Sequence, residues 1–220
     1  MFYVNLNNCI VYGNIRNNFD SCVLNYSCTE PKSDGVGNIT NPPLFVNPSA
    51  GNFHLQTNSP CINAGNNTFT VGTNDLDELA RVAGGTVDLG AFELQNPASI
   101  ISYAWLQQYG LPNDGSADNL DPDGDGFSNW QEWRAGTSPL NAASRLQMLP
   151  PANTNNASGV TITWQSVNGI HYFIQRSGNL SAPPSFLILQ SNLVGQTGTT
   201  SFTDTGATGA GPFFYRVGVQ

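Results

Sequence analysis

Val160-Thr161-Ile162-Thr163-Trp164 and Ile170-His171-Tyr172-Phe173-Ile174-Gln175-Arg176 carry the alternating, aromatic-rich pattern of half-buried strands. Further along, Phe186-Leu187-Ile188-Leu189, Ser201-Phe202-Thr203-Asp204-Thr205 and Phe213-Phe214-Tyr215-Arg216-Val217-Gly218-Val219 repeat it. Strands at roughly ten-residue spacing with turn residues between them predict a β-sandwich over 145–220. Trp164 reads as its core, since two facing sheets need one large side chain between them.

Upstream, residues 1–96 show no helical period. Asn8-Cys9-Ile10-Val11-Tyr12-Gly13-Asn14 and Ser21-Cys22-Val23-Leu24-Asn25-Tyr26 read as two similar strand-and-turn units. Pro43-Leu44-Phe45-Val46-Asn47-Pro48, Asn52-Phe53-His54-Leu55-Gln56 and Val87-Asp88-Leu89-Gly90-Ala91-Phe92 follow as further short strands. Short strands separated by Asn turns suggest a coil of stacked rungs, in which each rung buries its apolar side only against its neighbours. Asn at the corners can then ladder its amide from rung to rung. Cys9 and Cys22, one in each unit, are expected to stack.

The segments Pro43–Pro48, Gly51-Asn52-Phe53-His54-Leu55, Ser59-Pro60-Cys61-Ile62-Asn63-Ala64-Gly65 and Val87–Glu93 resemble the C-terminal end of secreted bacterial right-handed parallel β-helix proteins of the choice-of-anchor Q type. That resemblance implies further rungs before this point, a Cys28–Cys61 pair joined as a disulfide, and a closing turn in which Arg81 neutralises Asp75 or Asp88. It also leaves the first rung with an open edge, suited to end-to-end self-association. The order Trp, Tyr-x-Ile-x-Arg, Asp-Thr-Gly, Phe-Tyr-Arg-Val over 145–220 resembles a fibronectin type III domain.

Between these regions, residues 97–144 change character. Pro97-Ala98-Ser99 supplies a break and an N-cap, and Ile101, Trp105, Leu106 and Tyr109 recur at helical spacing until Gly110 and Pro112. A second short helix is expected from Ser128 to Arg134, ending at Gly136. Asp121-Pro122-Asp123-Gly124-Asp125-Gly126-Phe127-Ser128-Asn129-Trp130-Gln131-Glu132 fits a calcium loop of EF-hand type. Ca²⁺ takes six to eight hard oxygens. Asp121, Asp123 and Asp125 supply carboxylates, Phe127 a carbonyl, Asn129 a direct or water-mediated contact, and Glu132 a bidentate carboxylate from the helix. Four such carboxylates converging without a cation would repel one another. The segment resembles thrombospondin type 3 and dockerin-like calcium repeats, which carry an Asp where Ser138 stands. Asp114, Ser116 and Asp118 hint at a second, incomplete site, with an ordinary linker turn as the favoured reading.

Composition narrows the function. In 220 residues there are 7 Lys+Arg against 15 Asp+Glu, a net charge of −8 that repels a phosphate backbone and excludes nucleic acid. No run reaches the roughly 18 to 20 apolar residues of a membrane span, and the chain opens without a signal peptide. With 27 Asn and a single lysine, Lys32, the chain is turn-rich and β-rich. Four cysteines fit an oxidising, extracellular setting. His54 and His171, the only histidines, have no nucleophile elbow or Cys partner, and the residues lean against an enzyme. The expectation is a non-catalytic, calcium-binding adhesion or carbohydrate-binding region of a secreted or cell-surface bacterial protein. Its partners would be a polysaccharide or cell-surface glycan, and its candidate aromatic platform Trp130, Trp133 and Tyr172. The competing readings are a fragment of a β-helix lyase or glycoside hydrolase, with carboxylates among Asp75, Asp77, Glu78, Asp88 and Glu93, and a self-assembling extracellular structural protein.

Overall fold

Residues 4–14, 22–150, 158–181, 183 and 185–220 are described by a computed structural model, and Ser21 lies outside them. Among the regular elements of the described residues strands predominate and helix is scarce. It divides into two compact units, one formed by 1–120 with 128–130 and the other by 121–127 with 131–220.

The first unit begins with parallel pairing between segments 18 residues apart. β1 (Val4–Asn7) lies beside β3 (Cys22–Asn25), and β2 (Ile10–Val11) beside β4 (Cys28–Thr29). A third layer is added by the parallel bridge from Cys28 to Ile39. The expected amide ladder is present where Asn25 Nδ2 donates to Asn7 Oδ1 at 3.3 Å. The register differs from the expected one. Cys22 stands opposite Val4, and the Cys9 N–H donates to Ser27 Oγ, so Cys9 and Cys22 do not stack. Leu6 opposite Leu24 sets the alignment, because Leu24 is fully buried and a shift of one residue would turn it outward.

β5 (Phe45–Asn47) and β6 (Asn52–Leu55) form an antiparallel hairpin around a single 3₁₀ turn at Pro48–Ala50, closed by Gly51 at φ +75°. The segment Val87–Phe92, expected as a strand, is a succession of bends. The Val87 N–H donates to Asn67 Oδ1, that of Asp88 to Glu93 Oε2, and those of Leu89 and Gly90 to the carbonyls of Cys61 and Asn8, rather than to a neighbouring strand. α1 runs over Tyr103–Gln108, starting later than the Ser99 cap predicts. Ser99 Oγ is committed elsewhere, accepting from the Ile101 N–H and donating to Asp118 Oδ1 at 2.6 Å. The buried apolar residues of this unit include Leu24, Cys28, Cys61, Ile62, Val87, Leu89, Ile101, Tyr103 and Leu106.

The second unit contains two antiparallel sheets. β7 (Val160–Ser166) pairs with β10 (Gly198–Asp204), and β8 (His171–Ser177) lies between β9 (Leu187–Val194) and β11 (Phe214–Val219). A short bridge from Met148 to Trp164 adds a partner on the other side of β7. Ile162 and Trp164 from one sheet and Tyr172 and Ile174 from the other form one buried cluster, with Leu189, Phe202, Tyr215 and Val217 against it. Alternation puts these side chains inward, and each large one contributes roughly 1.5 to 3 kcal/mol by leaving water. α2 spans Asn129–Ala135. Among the described residues no helix is long and apolar enough to cross a membrane.

Candidate metal centre

The loop that precedes α2 folds around its own aspartates. Asp121 Oδ1 accepts from the Gly124 N–H at 2.9 Å and the Asp125 N–H at 3.2 Å, while its Oδ2 accepts from the Gly126 N–H at 2.9 Å. Asp123 Oδ1 accepts from the Asp125 N–H, and Asp125 Oδ1 from the Phe127 N–H. Gly124 and Gly126 take φ of +75° and +95°, left-handed values that glycine adopts without strain. The backbone therefore turns tightly enough to bring ligand oxygens of Asp121, Asp123 and Asp125 within 4.8 Å of one another. Among the described residues this is the one convergent group of three or more Asp, Glu, His or Cys side chains.

Glu132, on α2, lies outside that group of three and is only 1% exposed. Its Oε2, together with Asp123 Oδ2 and Asp125 Oδ2, is buried without a hydrogen-bond partner among the described residues. A buried anionic oxygen without a donor is costly, and the Asp121, Asp123 and Asp125 cluster is one that could hold a metal ion. Burial pushes the Glu132 carboxyl up to about 7, with Asp123 and Asp125 adding repulsion. Asp121 moves the other way, since the amides of Gly126, Gly124 and Asp125 stabilise its charge.

The end of α2 follows from Gly136. At φ +69° it completes a Schellman turn: the Gly136 N–H donates to the Trp133 carbonyl and the Thr137 N–H to the Glu132 carbonyl at 3.0 Å. That turn brings Thr137 Oγ1 to 3.4 Å from Glu132 Oε1. Thr137 is the residue that sequence reasoning missed. The signal for it was Gly136 in the C′ position, which returns the next residue onto the last turn.

The other expected site residues are placed as follows. Asn129 is fully buried, and its Nδ2 donates to the Ala117 carbonyl, which leaves Oδ1 as the end of the amide without a partner among the described residues. Asp114 binds Ser116, and Asp118 holds Ser99 and the Ile100 N–H, so these carboxylates serve turns. Tyr172 does not belong to a surface platform: it is 1% exposed, its ring lies 5.8 Å from that of Trp164, and its hydroxyl accepts from the Val167 N–H. The alternation of β8 turns it inward. Trp130 is 40% exposed and Trp133 half-buried.

Cys28 and Cys61 are both fully buried and close enough to influence one another, while Cys28 Sγ donates to the Asn41 carbonyl at 3.2 Å. All four cysteines are free thiols in the structure. The neighbouring Cys28 first and burial second push the Cys61 thiol far up, which makes it a poor nucleophile.

The acidic stretch of the first unit has a different chemistry. Arg81 pairs with Glu93 at 2.8 Å, not with Asp75 or Asp88, and its second nitrogen donates to the carbonyls of Asp88 and Gly90. Asp88 accepts from the N–H groups of Asn63 and Leu94. Asp75 accepts from those of Asp77, Leu79 and Glu93, and Glu93 from those of Ala83 and Asp88. These carboxylates stand in for strand partners along a loop that has the isolated antiparallel bridge from Asn74 to Ala80 but no strand. His54 donates or accepts at both ring nitrogens, 2.7 Å from Asn52 Oδ1 and 2.6 Å from Asp77 Oδ2, while stacking on Phe92.

Searches against protein families, curated proteins and solved structures find no match to this chain.

Proposed function

We propose that residues 121–137 form a calcium centre in a non-catalytic region of a secreted or cell-surface protein, one that attaches or displays rather than transforms its ligand. The carrying observation is the set of buried, unpartnered oxygens on Glu132, Asp123 and Asp125. Every donor is a hard oxygen, which suits Ca²⁺ and not a thiophilic metal. Asp121, Asp123, Asp125 and Glu132 would hold the ion, with the Phe127 carbonyl and Asn129 as the remaining donors of the sequence pattern. Bound, the ion supplies positive charge among carboxylates that otherwise repel.

The rest of the chain supports the same reading. Parallel ladders stacked in the first unit are what the end of a β-helix would show, and the two antiparallel sheets around Trp164 are what a fibronectin-like sandwich would show. The Asp75, Asp88 and Glu93 carboxylates are occupied by backbone amides and Arg81, as suits a closing loop. A glycan partner would use the exposed face of Trp130.

Calorimetric titration of chelator-treated protein, followed by thermal unfolding with and without calcium, tests the proposal. Saturation at 100 times Kd stabilises the binding unit by about 2.7 kcal/mol, a rise of roughly 5 to 10 °C for a chain of this size. Asp125→Ala is expected to abolish that rise. An unchanged midpoint, or full affinity in Asp125→Ala, removes the calcium centre.

A further inference from the structure

We infer that Thr137 is a positioning residue for the cation site, orienting the Glu132 carboxylate through its side-chain hydroxyl. The inference rests on the calcium reading of the loop. Glu132 must cross from α2 to the ligand cluster with its carboxylate turned so that oxygen faces the ion. Calcium favours a carboxylate that offers both oxygens, so its rotation about the last side-chain bond matters.

Thr137 is placed to set that rotation. Its backbone N–H already closes the Schellman turn onto the Glu132 carbonyl, so the helix end does not need its side chain. Oγ1 lies 3.4 Å from both that carbonyl and Glu132 Oε1. The carbonyl already has a donor in the Thr137 N–H, so the hydroxyl proton is best used on Oε1. Oε2 is then left as the buried oxygen without a partner. Thr137 is itself 8% exposed, so water competes little for its hydroxyl. Hydrogen bonds from outside the ligand set commonly hold metal-binding groups in this way.

The test compares Thr137→Val, which keeps the β-branched shape and loses the donor, with Thr137→Ser, which keeps the donor. Thr137→Ala serves as a second donor-less variant should valine prevent folding. Calcium affinity is expected to fall about tenfold without the donor and to stay within about twofold in the serine variant. Terbium, used as a luminescent calcium substitute, gives a readout that packing alone does not move. Lifetimes in H₂O and D₂O count the waters on the ion, and the donor-less variants are expected to hold an additional one. Wild-type affinity in Thr137→Val, or equal loss in Thr137→Ser, overturns the role of the hydroxyl and leaves the calcium centre standing. A wild-type protein that binds neither calcium nor terbium overturns both.

Discussion

Gly136 carries more of this molecule than its size suggests. Its φ of +69° is where a side chain crowds its own carbonyl, at a cost of roughly 1 to 2 kcal/mol. A Cβ built there would also stand 3.2 Å from Cγ1 of both Val167 and Ile170. Gly124 and Gly126 have similar φ values, yet a Cβ on either meets nothing within 4 Å. Gly136→Ala is therefore expected to destabilise its unit by about 2 kcal/mol, and Gly124→Ala by less, measured by urea denaturation. Because the same turn places Thr137, Gly136→Ala should also weaken calcium binding. Equal effects at Gly124 and Gly136 would show that the neighbouring valine and isoleucine yield freely.

At the level of elements, the segment 73–95 shows how a chain without strands is held. Several of its N–H groups end on Asp75, Asp88 and Glu93, and Arg81 ties Glu93 to two carbonyls of the same loop. The Glu93 side chain is 0% exposed and that of Arg81 12%. Removing the cation leaves a buried carboxylate with amides alone, a change that typically costs about 3 to 5 kcal/mol. Arg81→Met is expected to lose that much, by urea denaturation followed through the first unit. The Arg81→Met/Glu93→Gln double variant should lose less than the two single losses added together, since the groups are in contact. Strict additivity would deny the coupling.

For the molecule as a whole, the acidic balance reaches into the interior. Asp88, 1% exposed, is pushed up to about 7 by burial first and by the Glu93 carboxylate second, against the pull of the Leu94 and Asn63 amides. Glu93 is raised as well, again by burial first. A carboxyl whose folded pKa lies above its unfolded value near 4 binds more protons when folded, so its ionisation opposes folding. Stability from Asp88 should thus rise as pH falls from about 7 toward about 4, and decline as pH rises through that window. Hydrogen exchange at the Asn63 and Leu94 amides, followed from pH 7.5 to 5 with rates corrected for intrinsic exchange, is expected to show growing protection. Asp88→Asn should flatten that slope even if it lowers overall stability. Protection that instead weakens on acidification would mean that the two amides outweigh burial.

What the sequence by itself determined is whatever depends on neighbours along the chain. Alternation in Val160–Trp164 and Ile170–Arg176 marked two strands and the inward place of Trp164. The spacing of Asp121, Asp123 and Asp125 marked a loop that turns on its own carboxylates, and Gly136 marked the end of α2. Tertiary structure alone decided the pairings between distant residues. Parallel register joined Val4 to Cys22 because Leu24 had to be buried, which separated Cys9 from Cys22. Arg81 paired with Glu93 rather than with Asp75 or Asp88, while also reaching the carbonyls of Asp88 and Gly90, and the N–H groups of Val87–Gly90 found Asn67 Oδ1, Glu93 and single loop carbonyls instead of a strand partner. Periodicity is a local property of the backbone and can be read in order. The competition among buried donors and acceptors is settled only when the folded chain brings them within 3 Å or so of one another.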